Sequence, residues 1–427
     1  MTHNTDITPT KVHKDAKLGV IPDGWTTPKI SEVFQFINTT SFPRNQLNYD
    51  EENEVFYIHY GDIHATYKKP ILDFEIETEV PRLNKDVELP NSIQYLKDGD
   101  VIIADASEDY EGVGEAIEMK NLNGKIVISG LHTFALRDLK NKTVPGFRTY
   151  IFKNQNVKKA LKTIATGSKV YGISKGNIQK FKIVLPPLPE QQKIAQILAT
   201  WDVAINKQEA LIAQKQEQKR GLMQQLLTGK KRLSGFTGEW KQVKMQKIVS
   251  ITSGESPIKH KFVDDGQYPY LKVEDLNNCS KYQLASRTYS NKSTNLVSKG
   301  SIIFPKRGAA ILNNKIRIAS CEVHMDSNLM AVTPICEKVS TEFLFYKIFR
   351  EKLCRIADTS TIPQINNKHI NPYKISLPSL KEQQKIAEVL TAADNEIDAL
   401  QQQLQQLKKQ KHGLMQQLLT GKIRVKE

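Results

Sequence analysis

A chain of 427 residues has room for more than one hydrophobic core, and 61 lysines and arginines against 46 aspartates and glutamates leave it at +15, with a pI near 9.3. That balance favours a polyanionic partner or an acidic membrane surface. The four cysteines, Cys279, Cys321, Cys336 and Cys354, contain no CxxC pair, which argues against a disulfide frame or a zinc site and for reduced thiols.

From its start the chain lacks the apolar core of a signal peptide, and no run approaches the roughly 18 apolar residues of a membrane span. The expectation is a soluble, cytoplasmic protein. A first module opens near Trp25, and short apolar stretches predict strands at Val55–His59, Val101–Ala104, Ile126–Ser129 and Phe181–Leu185. The turn Lys97-Asp98-Gly99-Asp100 precedes the second of these. Charge is uneven along the module. Residues 51–100 hold 5 basic and 12 acidic side chains, net −7, whereas residues 151–200 hold 9 and 1, net +8.

A long helix follows. Pro189 and Glu190 suit its first turn, Gly229 its end, and Ile194, Leu198, Trp201, Ile205, Gln208, Ile212, Lys215, Lys219, Leu222 and Leu226 follow a heptad seam. The helix closes on Gly221–Lys230, GLMQQLLTGK, and the same ten residues return at Gly413–Lys422, an offset of 192. Two copies at so long a period indicate two modules, since solenoid units recur every 20 to 50 residues or so. The match extends upstream. IVLPPLPEQQKIAQIL from Ile183 aligns with ISLPSLKEQQKIAEVL from Ile375, and ATGSKVYGISKGNIQKFKI from Ala165 aligns with ADTSTIPQINNKHINPYKI from Ala357.

The second module, opening near Trp240, predicts strands at Ser301–Pro305, Leu329–Thr333 and Tyr373–Leu377, the turn Ser298-Lys299-Gly300-Ser301, and a helix over Ser340–Cys354. Its long helix carries the seam Ile386, Leu390, Ala393, Ile397, Leu400, Leu404, Leu407, Lys411, Leu414 and Leu418, and stops at Gly421. The fold expected is two tandem α/β (α+β) modules, joined and spaced by two long helices in an antiparallel coiled coil, with a pseudo-twofold internal repeat. An antiparallel pairing would set the modules at opposite ends of a rod. The domain boundaries expected are 1–188 and 231–379 for the modules, and 189–230 and 380–427 for the helices. Gly221 and Gly413 lie inside these helices at a cost of about 1 kcal/mol each relative to alanine; a kink, shared ancestry or close approach of another helix or subunit would account for them.

Catalytic signatures are weak. Asn371-Pro372-Tyr373 lacks the second proline of an amino-methyltransferase loop, Gly112-Val113-Gly114 has the wrong context for a cofactor loop, and Glu118-Met119-Lys120 after Asp109 is the best nuclease-like string. No P-loop or HExxH helix is present, and the nine histidines do not cluster along the sequence; His132 and His324 suit local hydrogen bonds better than metal. A stand-alone enzyme and a purely structural helical scaffold remain as alternatives.

The order of variable module, EQQKIA helix, LLTGK exit, repeated twice, resembles the specificity subunit of type I restriction-modification enzymes across essentially the whole chain. Its most specific parts are Pro186–Ala195 with Pro378–Ala387 and the paired Leu-Leu-Thr-Gly-Lys exits. Ser379 and Lys381 depart from Pro187 and Pro189, which leaves the stiffness of the second helix start open. The resemblance implies a non-catalytic reader of double-stranded DNA. Each module would read half of a split target, and the helices would dock two methyltransferase subunits, with restriction/translocase subunits joining. No cofactor would be bound by this chain; S-adenosylmethionine, ATP and magnesium would serve the partners.

For a DNA surface, side chains must hold phosphates and read base edges. In the first module the basic, glycine-rich stretch before the last strand supplies Ser168, Lys169, Tyr171, Ser174, Lys175 and Asn177, against the alternative of a plain solvated loop. Its counterpart supplies Ser360, Thr361, Gln364, Asn366 and Lys368, while Lys306, Arg307, Lys315 and Arg317 follow a predicted strand. The equivalent stretch of the first module, Asp105–Tyr110, is acidic and is expected to stay away from DNA, against the alternative that it accepts from cytosine amino groups. Gly221, Leu222, Leu226, Gly413, Leu414 and Leu418 are the expected partner-binding residues.

Overall fold

The computed structural model describes residues 12–50, 53–67, 69–360 and 362–425. The chain divides into two compact units, one running to Lys207 and taking in the terminal stretch from Leu404, the other comprising Gln208–Gln403.

The first unit is built on a five-stranded sheet in the order Gln35–Ile37, Thr133–Arg137, Val101–Ala104, Ala116–Lys120, Ile71–Asp73. All pairs are antiparallel except the last, Ala116–Lys120 with Ile71–Asp73. Val101–Ala104 lies at its centre and is buried at all four positions, which explains its continuous apolar run. Gly99, at φ +81, makes the turn into it. A four-stranded sheet, Ile126–Ser129, Val55–Ile58, Arg82–Leu83, Leu47–Asn48, lies in the same unit and has one parallel pair.

The second unit repeats this plan. Its five strands run Val249–Ser253, Leu329–Pro334, Ile302–Pro305, Arg317–Ala319, Tyr282–Gln283, again with only the last pair parallel. Ile302–Pro305 is the buried central strand, introduced by Gly300 at φ +85. The helix Thr341–Glu351 breaks at Lys352, whose positive φ of 63 ends it before the short Leu353–Ile356 turn. Phe181–Leu185 differs from the expected strand: only Lys182 and Leu185 bridge to Lys29 and Thr26. Its counterpart Lys374–Leu377 forms a four-pair ladder with Lys241–Lys244. Pro28, between the two bridges of the first unit, has no N–H to give to such a ladder.

The long helices span Leu188–Leu226 and Leu380–Leu419 and end at Gly229 and Gly421, both at positive φ. Their starts also correspond. Where the second lacks Pro187, the Ser379 hydroxyl takes the Glu382 N–H at 3.4 Å, a capping bond in place of proline's preset φ. Every seam residue predicted on both helices is buried or half-buried.

Within each unit, segments of both helices meet, and residue numbers fall on one as they rise on the other. In the first unit Lys411 Nζ bonds Asp202 at 2.6 Å and Arg424 bonds Glu190; in the second, Lys215 pairs with Glu396, Lys219 with Asp394 and Arg232 with Glu382. Leu418 and Leu419 lie in the first unit's core with Ile194 and Leu198, and Met223, Leu226 and Leu227 in the second's with Ile386 and Leu390. Each such leucine contributes about 1.5–3 kcal/mol.

Candidate nucleic-acid interface

The basic stretch of the first module folds as a small hairpin. Thr166 and Gly172 exchange backbone hydrogen bonds at 2.9 and 2.8 Å, and Tyr171–Gly172 pairs outward with Ala106–Ser107. Ile173 N–H donates to the Asp105 carbonyl at 2.8 Å. Gly167, at φ +129, is obligatory, because a Cβ there would sit 1.9 Å from the Val170 carbonyl oxygen. Ser174 then caps the helix Lys175–Lys180 by accepting from Asn177 N–H at 3.3 Å. Ser168, Lys169, Ser174, Lys175 and Asn177 are exposed, and Tyr171 is half-buried edge-on to Tyr110 at 5.3 Å.

The second module builds the same hairpin from different residues. Asp358 and Gln364 exchange backbone bonds at 2.9 Å each, Gln364 bridges outward to Arg307, and Ile365 N–H donates to the Lys306 carbonyl at 2.9 Å. Thus Lys306 occupies the place of Asp105, and Arg307 that of Ala106. Ser360, Lys368 and Arg307 are exposed, whereas Gln364, Asn366 and Lys306 are half-buried. Thr361 lies outside the described residues. Lys315 and Arg317 are half-buried and not on this hairpin; Arg317 is in the sheet, its guanidinium bonded to the Ile316 carbonyl at 2.7 Å.

Electrostatically the two surfaces diverge. Burial pushes the Asp105 carboxyl up, and His132 Nδ1, 3.4 Å away, pulls it back only in part. Beyond it Lys162 pairs with Glu111 at 2.6 Å and lies over the Tyr110 ring, so the acidic loop draws on a lysine of its own module. His324 bonds the Lys292 carbonyl at 2.8 Å, and no group of three or more His, Cys, Asp or Glu side chains able to hold a metal occurs among the described residues. Glu118, the nuclease-like carboxylate, is 2% exposed and accepts from the Gly146 and Thr149 N–H groups; burial raises it to about 7, against these bonds and Arg148. It braces the turn into the helix Arg148–Lys153.

The repeated motifs tie each helix start to the module it follows. In the first unit Glu190 accepts from Trp25 Nε1 at 2.8 Å and from Arg424 Nε and Nη2 at 2.8 and 2.9 Å. In the second, Glu382 accepts from Arg232 Nε and Nη2 at 2.6 and 2.7 Å, with Arg232 over the Trp240 ring. The next residue acts alike in both: Gln191 bonds Val144 N–H and the Pro186 carbonyl, and Gln383 bonds Ser340 N–H and the Pro378 carbonyl. Further along, Tyr150 and Lys411 both bond Asp202, and Tyr346 and Lys219 both bond Asp394. None of these roles is evident in the sequence reading. The signal was the repeat: Glu190, Gln191, Asp202, Lys219 and Arg232 all recur at an offset of 192. Leu226 and Leu418, 2% and 1% exposed, serve these cores and present no side chain to a partner. Leu222 and Leu414 pack beside them, and a Cβ at Gly221 or Gly413 would meet nothing within 4 Å.

The family model for the type I restriction modification DNA specificity domain matches residues 22–214 and again 237–409. The chain belongs to this family. Its members supply DNA specificity, and this chain is accordingly a non-catalytic, sequence-specific DNA-recognition subunit of a type I restriction-modification complex. Among relatives, the type I restriction enzyme MjaVIII specificity subunit of Methanocaldococcus jannaschii is 26% identical, over 95% of this chain and 94% of its own length. Among solved structures, the type I S subunit from M. genitalium is 14% identical with a TM-score of 0.53, covering 92% of this chain and 96% of that one. A chain from a structure describing complex assembly and conformational transition of the type I R-M system is 17% identical with a TM-score of 0.61, covering 94% and 99%. These two show the likeness of fold. No described helix is long and apolar enough to cross a membrane.

Proposed function

We propose that this specificity subunit reads a bipartite DNA target, one half-site per module, through the paired hairpins. The observation that carries the reading is the same backbone construction, with corresponding bonds at Ile173 to Asp105 and Ile365 to Lys306, bearing different side chains in the two modules. A fixed scaffold with changed residues is what two readers of different bases require. Ser168, Lys169, Tyr171, Ser174, Lys175 and Asn177 form the first contact set, and Lys306, Arg307, Ser360, Gln364, Asn366 and Lys368 the second, with Lys315 and Arg317 as outlying members. Thr361 belongs to the second set by sequence alone.

The helices act as an antiparallel coiled coil between modules bounded at 1–188 and 231–379, with a pseudo-twofold repeat. The opposed order of the helix contacts supports this arrangement. It spaces the half-sites and offers two matching surfaces, around Gly221 with Leu222 and Gly413 with Leu414, to two methyltransferase subunits. Restriction/translocase subunits join that assembly, in the cytoplasm, and S-adenosylmethionine, ATP and magnesium serve the partners. Methylome sequencing of cells carrying the complete system tests the reading. Exchanging Trp25–Leu185 for the module of a relative is expected to change one half of a split motif and leave the other; a motif that stays whole, or changes throughout, overturns it.

A further inference from the structure

Between residues 165–178 and 357–370, the hairpin with the capped helix that follows it, apolar residues recur in both copies at four positions: Ala165 with Ala357, Val170 with Ile362, Ile173 with Ile365, and Ile178 with Ile370. Three of these belong to the cores. Ile173, Ile365, Ile178 and Ile370 are 4%, 1%, 0% and 3% exposed, and Ala165 and Ala357 pack against the same clusters. The fourth pair is the opposite: Val170 is 53% and Ile362 70% exposed. One exposed aliphatic side chain is ordinary on a protein surface. Two at corresponding places on two hairpins, beside neighbours that have changed from Tyr171 to Pro363 and from Lys175 to Asn367, are not explained by core packing.

We propose that Val170 and Ile362 are one device used twice: an apolar wedge that each hairpin presses against the base-pair stack of duplex DNA, reading its deformability rather than base identity. The proposal rests on the DNA-reading role of the hairpins given above. Both side chains are β-branched, so little rotamer freedom is lost on contact. The hairpins are closed by the Thr166–Gly172 and Asp358–Gln364 bonds, and the Val170 carbonyl is seated against Gly167. Exposed cations lie on the same constructions, Lys169 and Lys175 in one module and Arg307 and Lys368 in the other, and these suit the flanking phosphates. Apolar side chains inserted at base steps unstack them at a cost that depends on the step, which yields specificity without hydrogen bonds. A thymine-methyl contact, by contrast, reads a base and would be free to change with the target; retention in both copies favours the shape contact.

The test uses the full complex with its methyltransferase subunits and duplexes of its own target carrying 2-aminopurine at successive steps. Val170→Ser and Ile362→Ser are each expected to weaken binding about tenfold and to abolish the 2-aminopurine signal in their own half-site only. The slope of log K against log salt stays unchanged, because no phosphate contact is lost. Val170→Ile and Ile362→Val keep both affinity and signal. Serine variants that bind and unstack like the parent overturn the proposal. So does a dT-to-dU duplex that reproduces their loss with the parent protein, since that assigns the contact to a thymine methyl, or a fall in melting temperature that accounts for the weaker binding. A parent complex without target preference removes the DNA-reading role itself, and the wedge with it.

Discussion

The two modules build one hairpin on one strand order and set it beside residues of opposite charge. Ile173 bonds the carbonyl of Asp105 where Ile365 bonds that of Lys306, and the neighbouring positions are Ala106 and Arg307. The backbone places a residue at the surface, and the residue's identity decides what that place does. The anchoring motifs show the converse. Glu190 and Glu382 are both buried and both held by an arginine, so residues that set geometry have been kept, while outward positions such as Lys175 with Asn367 have changed.

The anchors are alike but not equal, and the largest expected effect exploits the difference. Arg232→Ala leaves Glu382, 1% exposed, without its guanidinium, a loss of about 3–5 kcal/mol for an uncompensated buried charge. Arg424→Ala is expected to cost less, because Glu190 keeps the Trp25 N–H. Denaturant unfolding of both variants breaks the comparison if Arg424→Ala proves the more damaging.

A smaller effect separates the two surfaces. Arg307→Ala is expected to lose about 1–3 kcal/mol of binding and to relax preference in one half-site. Asp105→Ala is expected to tighten non-specific binding by a few-fold at low salt, since it removes an anion near the duplex. Fluorescence anisotropy at two salt concentrations measures both; equal losses would mean that Asp105 is itself a reading group.

The smallest effect is a pair of opposite pH dependences. Burial raises Glu118 from 4.5 to about 7, so its contribution to stability is full below about 4.5 and is lost as pH rises through about 7. Lys347, whose amine bonds the Leu227 carbonyl, is lowered by burial from 10.5 to about 8, so its contribution is full above about 10.5 and is lost as pH falls through about 8. Melting temperatures across pH should flatten at the acid end in Glu118→Gln and at the alkaline end in Lys347→Met, and each variant should leave the other limb alone.

Much of this organisation can be read from residues. The seam from Ile194 to Leu226 is visible because a helix buries one face at a fixed period, and Val101–Ala104 because a central strand is apolar on both faces. Phe181–Leu185 misled for the same reason: it is buried, as a strand would be, but Pro28 faces it. The hairpin partner of each basic loop was not legible, since Arg307 and Gln364 are joined by backbone bonds that leave no trace in side-chain pattern. The Trp25–Glu190–Arg424 anchor was hidden by distance along the chain, whereas the burial of Leu226 and Leu418 follows from their places on the seam, which the identity of the two exits does not override.

The first unit draws its core from two stretches far apart along the chain. Leu418 and Leu419 lie beside Ile194 and Leu198, and Asn154 donates to the Leu419 carbonyl. A ribosome that has finished Lys207 must still add residues 208–403 before Leu404 appears. At 5–20 residues per second that interval is roughly 10–40 s. Throughout it the first module exists without Leu418 and Leu419 and without the arginine that meets Glu190, and it becomes whole only after the second module has been made.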